Sequence, residues 1–435
     1  MMTHEQTIQT IAGQLKARPR GARVSFVRNG ISHKVPNAHG ADGTSHKIHV
    51  GRLDRVLEID PQNRTCTAEA GVPFSEVVKT TLQHGLVPYT VPELKTITIG
   101  GAVSGCSVES MSYKYGGFHD SCLEYELITA EGEIMTCTPT ENADVFNMLH
   151  GSFGTLGMIT RIKFKLHPAK PFIKLTHVKY ENFDAYQKAI RGEYERPRHD
   201  FMDGIIHSPE HFTLCLADFV DEAPYVSDYG GMKIFYKSTR IKKEDYMETH
   251  DYFFRYDTEC HWLSRNFGLE NPLLRLLFGR FFLSSTNMIK TAKKLRFLFK
   301  NMKPDVIVDV FVPMSRFKNF YEFYEKEFDY FPLWIVPYKV AKRYDWINET
   351  YMKDIPDELF IDCAIYGLRQ QNRDYYKLMD EKLLELKGLK TLISHNNYDP
   401  ETFWKIYNKD RYARVKKLTD PENIFRDLYE KTHAK

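Results

Sequence analysis

The sequence predicts an α+β chain in two lobes, and two observations carry the prediction. Residues 1–170 hold short strand-like runs separated by glycine and proline turns. After Pro168 and Pro171 the texture changes to aromatic-rich strands alternating with charged helices. At 435 residues, 42% of them hydrophobic, the chain is long enough for two or three cores.

Taken in order, Ile8, Ile11 and Leu15 recur at helical spacing over residues 6–16, and Pro19 and Gly21 end that helix. Residues 24–27, 48–50, 56–59 and 65–69 read as strands, with a hairpin turn at Pro61-Gln62-Asn63. Pro73 suits a first helical position, Val77, Val78, Thr81 and Leu82 continue the helix, and Gly85 is a left-handed stop. The boundary near residue 170 opens a second lobe over 171–394. Strands at 306–312 and 333–338 and a helix over 319–328 belong to it. Residues 395–435 include an amphipathic helix stopped at Asp420-Pro421.

Sixty basic and 57 acidic residues give a net charge of +3, a near-balance that argues against a nucleic-acid partner. Seven scattered cysteines without C-x-x-C spacing read as reduced thiols of a cytoplasmic protein. Residues 1–20 lack the apolar stretch of a signal peptide, and no run reaches the roughly 18–20 apolar residues of a membrane span. A soluble or membrane-peripheral location is the expectation. No metal is expected.

The densest chemical signal is Val91-Pro92-Glu93-Leu94-Lys95-Thr96-Ile97-Thr98-Ile99-Gly100-Gly101-Ala102-Val103-Ser104-Gly105, followed by Glu109, Ser110, Tyr115, Gly116 and Gly117. Paired glycines after a strand let backbone N–H groups approach an anion such as a pyrophosphate. Thr98, Ser104 and Ser110 add hydroxyls, and no acidic residue falls between 96 and 108. Tight structural turns are the competing reading. A second cluster, Gly151-Ser152-Phe153-Gly154-Thr155-Leu156-Gly157, puts a glycine at every third position before a strand near Ile159. It reads equally as ligand contact or as a crowded turn. There is no G-x-G-x-x-G, Walker loop, H-E-x-x-H or G-x-S-x-G, which sets aside Rossmann, P-loop, zincin and α/β-hydrolase readings.

The run from Val91 to Gly117, with Cys122-Leu123-Glu124-Tyr125-Glu126-Leu127, Gly154-Thr155-Leu156-Gly157 and Pro168-Ala169-Lys170, resembles the sterol side-chain (delta-24 sterol) reductases. These are flavoproteins of the vanillyl-alcohol-oxidase type. Weaker similarity covers residues 45–412. The resemblance implies a two-lobed fold: a PCMH-type FAD-binding domain (1–170), an inserted α+β substrate cap (171–394), and a C-terminal segment (395–435) returning to the FAD lobe. It implies noncovalent FAD contacted by Pro92, Thr98, Ile99, Gly100, Gly101, Ala102, Val103, Ser104, Gly105, Cys106, Ser107, Val108, Glu109 and Ser110. Tyr115 and Gly116 extend that contact, and Gly157, Ile159 and Thr160 meet the adenine end. Arg28, Asn29 and Gly30 fill a first phosphate-facing turn. His33, His39 and Cys106 are positions where covalent attachment is weighed and not expected.

Such a protein would reduce a carbon–carbon double bond of a sterol-like or isoprenoid lipid, with NADPH or NADH as electron donor. An isolated alkene has little polarity, so it needs a hydride on one carbon and a proton on the other. Glu109, Lys114 and His119 are the nearest ionisable residues of the flavin loop and the candidate acids. Residues 251–283, rich in aromatics and punctuated by Arg255, Arg265, Arg275 and Arg280, would line a lipid pocket, pack as core, or make peripheral membrane contact. An FAD oxidase or dehydrogenase of a polar alcohol or lactone, and a flavin- or lipid-binding protein without turnover, are the alternatives.

Overall fold

The computed structural model describes residues 2–27, 45–294, 306–369, 373–394 and 396–433. Its first helix, His4–Lys16, starts at a reciprocal cap: Thr3 Oγ1 accepts from the Gln6 N–H, and Gln6 Oε1 accepts from the Thr3 N–H. Ile8, Ile11 and Leu15 form its buried face. A parallel pair follows, β1 (Val24–Val27) with β2 (His46–His49). The main sheet of this lobe contains β3 (Val56–Asp60), β4 (Thr65–Glu69), β5 (Leu86–Pro88), β6 (Cys122–Ile128), β7 (Ile134–Cys137) and β8 (Met158–Pro168). Its order is β3-β4-β8-β6-β7, with β5 also pairing β8.

The turn at residues 61–63 closes the β3–β4 hairpin because Asp60 Oδ1 accepts from the N–H groups of both Gln62 and Asn63. Pro73 precedes the Phe74–Leu82 helix as its cap, one place earlier than the sequence reading, and Gly85, at φ +65°, turns the chain into β5.

The second sheet begins at Phe172. It contains β9 (Phe172–Tyr180), β10 (Phe201–Ser208), β11 (His211–Val220), β12 (Glu244–Glu248), β13 (Val306–Pro313), β14 (Leu333–Lys339), β15 (Leu359–Leu368) and β16 (Leu389–Lys390). The order is β12-β9-β11-β10-β14-β15-β13-β16, antiparallel throughout. Its strands alternate between two apolar faces. Val308, Val310, Ile335 and Ile361 pack with the helices Phe183–Glu195, Phe317–Glu327 and Tyr375–Leu386. Phe311, Trp334, Val336 and Phe360 point the other way and share one core with the first lobe. Burial on both faces explains why Val306–Pro313 is a nearly unbroken apolar run.

The Lys409–Thr419 helix packs on the first lobe. Lys416, buried, places Nζ 2.8 Å from the Thr155 carbonyl, 2.6 Å from Asp420 and 2.7 Å from the Phe425 carbonyl. Val24 donates its N–H to the Ile424 carbonyl, so the two ends of the chain meet.

Candidate functional site

The Gly100–Gly101 pair lies in the first turn of a short helix, Ile99–Gly105, and not directly after a strand. Thr98 caps it through Oγ1, which accepts from the Gly101 N–H at 3.2 Å. The other amides of that turn are also occupied: Ile99 donates to Val72 O, Gly100 to Ala70 O and Ala102 to Thr98 O. Backbone donors at 99–102 are therefore committed within the protein. What the glycines supply is space. A Cβ on Gly100 would sit 2.8 Å from both the Cβ and the carbonyl oxygen of Ala70. One on the exposed Gly101 would meet only Thr98 Oγ1, at 3.2 Å.

The helix ends at Cys106, at φ +54°. Gly105, Cys106 and Val108 form one wall of a cleft, and Gly151 and Phe153 continue it. The opposite wall comes from the second sheet and the chain after it: Phe311, Tyr338, Val340, Tyr344, Trp346 and Phe360, with Leu389, Leu392 and Tyr407. Ala102 and Val103 face the core, while Ser104 and Ser107 are half-buried. Burial pushes the Cys106 thiol well above its ordinary range.

The second glycine cluster is a crowded turn. Gly151, Gly154 and Gly157 lie at φ +68°, +70° and +138°, and a Cβ on Gly157 would come 2.9 Å from the Ile128 carbonyl. Lys416 and Lys431 hold its carbonyls at Thr155 and Phe153, and Tyr412 donates to Thr155 Oγ1 at 2.9 Å. Ile159 is buried in β8, and Thr160 Oγ1 bonds Glu126, which in turn bonds His4. Pro92 is buried, and Glu93 beside it lies 2.9 Å from His261 Nε2.

The three candidate acids have different surroundings. Glu109 is buried away from the cleft lining. Ser110 donates to it from N and Oγ, and Arg255 Nη2 lies 2.8 Å from Oε1 and 3.3 Å from Asp203 Oδ2. Burial raises its carboxyl to about 7 against the pull of Arg255. Lys114 is half-buried, 3.8 Å from Asp200. Tyr115 stacks on Tyr89 with centroids 4.5 Å apart, and Gly116 packs on the Asp120 carboxylate.

His119 is fully buried; neither ring nitrogen makes a hydrogen bond within the protein, and burial lowers its pKa. Its Nε2 lies 3.4 Å from Asp120 Oδ2. Asp120 accepts from Tyr344 Oη at 2.7 Å, and Tyr344 shares a hydrogen bond with Tyr338. Both tyrosines line the cleft. The sequence reading found His119 but missed Tyr338, Tyr344 and Asp120. Asp120 adjoins His119 and was findable, whereas the tyrosines come from more than 200 residues away and leave no local pattern. Arg28, Asn29, Gly30, His33 and His39 lie outside the described residues.

Two glycines in the cleft wall, an exposed glycine at the helix start and flat aromatic neighbours fit a large planar cofactor. Comparison with known proteins agrees. The family described as "FAD binding domain" matches residues 3–138. The chain is 25% identical to the Delta(24)-sterol reductase of Homo sapiens over 98% of this chain and 86% of that one. It is 22% identical to that of Arabidopsis thaliana over 99% and 84%. It is also 26% identical to cytokinin dehydrogenase 3 of Oryza sativa subsp. japonica, over 53% and 45%. Residues 3–138 thus match an FAD-binding domain, and nearly the whole chain is similar to Delta(24)-sterol reductases.

Proposed function

We propose that the chain reduces a carbon–carbon double bond of a sterol-like or isoprenoid lipid, with NADPH or NADH as electron donor. The observation that supports this reading is the cleft. Among the described residues its lining is mostly aromatic and aliphatic, and the one charged side chain in it, Lys390, pairs with Asp380. A polar alcohol or lactone would call for convergent polar groups, whereas a mostly apolar wall that holds the paired Tyr338 and Tyr344 hydroxyls suits an alkene.

FAD, held against Gly101, Gly105, Cys106 and Gly151, supplies the hydride when bound. The chain's own residues supply the proton. Burial holds the hydroxyls of Tyr338 and Tyr344 well above the usual phenol range, so both keep their protons at neutral pH and act as donors. Tyr338 Oη releases a proton to the alkene carbon and recovers one from Tyr344. Asp120 accepts the Tyr344 hydroxyl hydrogen bond and so orients it, solvent returns a proton to Tyr344 between turnovers, and His119, kept neutral, packs beside Asp120. Glu109, committed to Arg255, positions the loop.

Anaerobic stopped-flow measurement tests the reading. NADPH should bleach the flavin and an alkene lipid should restore its absorbance. Tyr338→Phe should slow the second step by about 10²–10⁴-fold and spare the first. Trp346 fluorescence should show the variant still binding the saturated lipid. Bleaching by an alcohol alone would indicate a dehydrogenase, and no bleaching by any donor would indicate a binding protein.

A further inference from the structure

We propose that the Pro272–Phe282 helix seats this protein on an anionic lipid surface. The segment 251–283 divides in two. Tyr252, Phe253, Phe254, Tyr256 and Trp262 are buried core, whereas the helix after them is turned inside out. A surface helix ordinarily puts its apolar stripe inward and its charges outward. Here the buried positions are Arg275 and Gly279. Arg275 is bonded to Glu259, at 3.1 Å from Nη1, and to the Gly231 carbonyl, at 2.8 Å from Nε.

The outward positions are Leu273 (64% exposed), Leu276 (71%), Leu277 (55%), Phe278 (47%) and Phe281 (45%). Phe267, 44% exposed, stacks on Phe282 and extends the patch. Scattered exposed leucines need no explanation, but this many adjacent on one helix mark a contact surface.

Charge identifies the occupant. Apart from the buried Arg275, the sequence from residue 271 to 304 has seven basic residues and no acidic one. Arg280 and Lys290 are exposed in the described part, and Arg280 lies 4.5 Å from the ring centroid of Phe281. A second copy seated two-fold on this face would bring two positive segments together. An anionic bilayer provides both a hydrocarbon boundary for the leucines and phenylalanines and headgroups for the basic residues. None of the described helices is long and apolar enough to cross a membrane, so the contact is with one surface. It stands whichever lipid the cleft accepts.

Co-sedimentation of the full chain with phosphatidylcholine vesicles, with and without phosphatidylserine, tests the proposal. Wild type should pellet with the phosphatidylserine vesicles and be released by high salt. Leu276→Glu with Phe278→Glu, and separately Arg280→Glu with Lys290→Glu, should each weaken binding at least about tenfold with unchanged circular dichroism. Failure of wild type to bind phosphatidylserine vesicles, or undiminished binding by both variants, would overturn it. So would a wild-type dimer that the same substitutions convert to monomer.

Discussion

Replacing Arg255 by Met removes the cation that joins the lobes. Its guanidinium is fully buried, 2.8 Å from Glu109 of the first lobe and 3.3 Å from Asp203 on β10, with Tyr252 and Tyr256 rings 4.2 and 4.9 Å away. Methionine preserves much of the volume but leaves two carboxylates buried without their cation. Removing one member of such a cluster costs about 3–5 kcal/mol. Unfolding entropy of about 2.1 cal/mol/K per residue gives about 0.9 kcal/mol/K for 435 residues, so about 4 kcal/mol lowers the melting temperature by about 4–5 °C. Glu109, already raised to about 7, rises further in the variant. A carboxyl whose folded pKa is raised binds more protons folded than unfolded between about 4.5 and that pKa, so stability falls as pH rises through the window. The Arg255→Met deficit should therefore be larger at pH 8 than at pH 5. Differential scanning calorimetry at both pH values measures it. A variant melting within about 1 °C of wild type at pH 8 would refute the assignment of Arg255 as the interlobe pin.

Three further outcomes are expected. Gly100→Ala should destabilise the apoprotein by about 1–3 kcal/mol through its clash with Ala70, whereas Gly101→Ala should leave the melting temperature nearly unchanged and lower the bound FAD, read as flavin absorbance per protein. Burial lowers His207 to about 4, so the unfolded chain takes up its proton first and the stabilisation present above pH 6.5 is lost as pH falls toward 4. Urea titrations should show His207→Gln gaining about 1–2 kcal/mol on wild type between pH 7.5 and 5. Lys416→Met should cost about 2–4 kcal/mol and increase hydrogen exchange in residues 151–157, whose Thr155 carbonyl it leaves unbonded.

The elements between residues 24 and 85 were legible because each is bounded by a local turn signal, such as Asp60 with its three following residues or Gly85 with its positive φ. The glycine clusters were legible as places of close approach. Their use was not, because whether an amide is free depends on Val72 and Ala70, which lie on a different part of the chain. The same limit hid the cleft's hydroxyls: Tyr344 meets Asp120 across 224 residues, and only tertiary packing brings β14 against residues 112–115. Glu109 looked free in sequence because Arg255 is 146 residues away. Residues 252–262 and 272–282 both mix large apolar side chains with arginine. Each buries an arginine against a carboxylate, yet the first is core and the second exposes its leucines, a difference that no local pattern announces.

Because the first lobe is sealed by Tyr412, Lys416 and Lys431, order of synthesis becomes an assembly constraint. A nascent chain can complete the second sheet, which needs nothing beyond Lys390, while the carbonyls of residues 151–157 still lack their lysine partners. That turn therefore closes later than the second sheet does. Truncation ahead of Tyr412 would remove all three sealing side chains while sparing every strand of the second sheet, so a defect at one end of the sequence would surface as loosening of a turn more than 250 residues away.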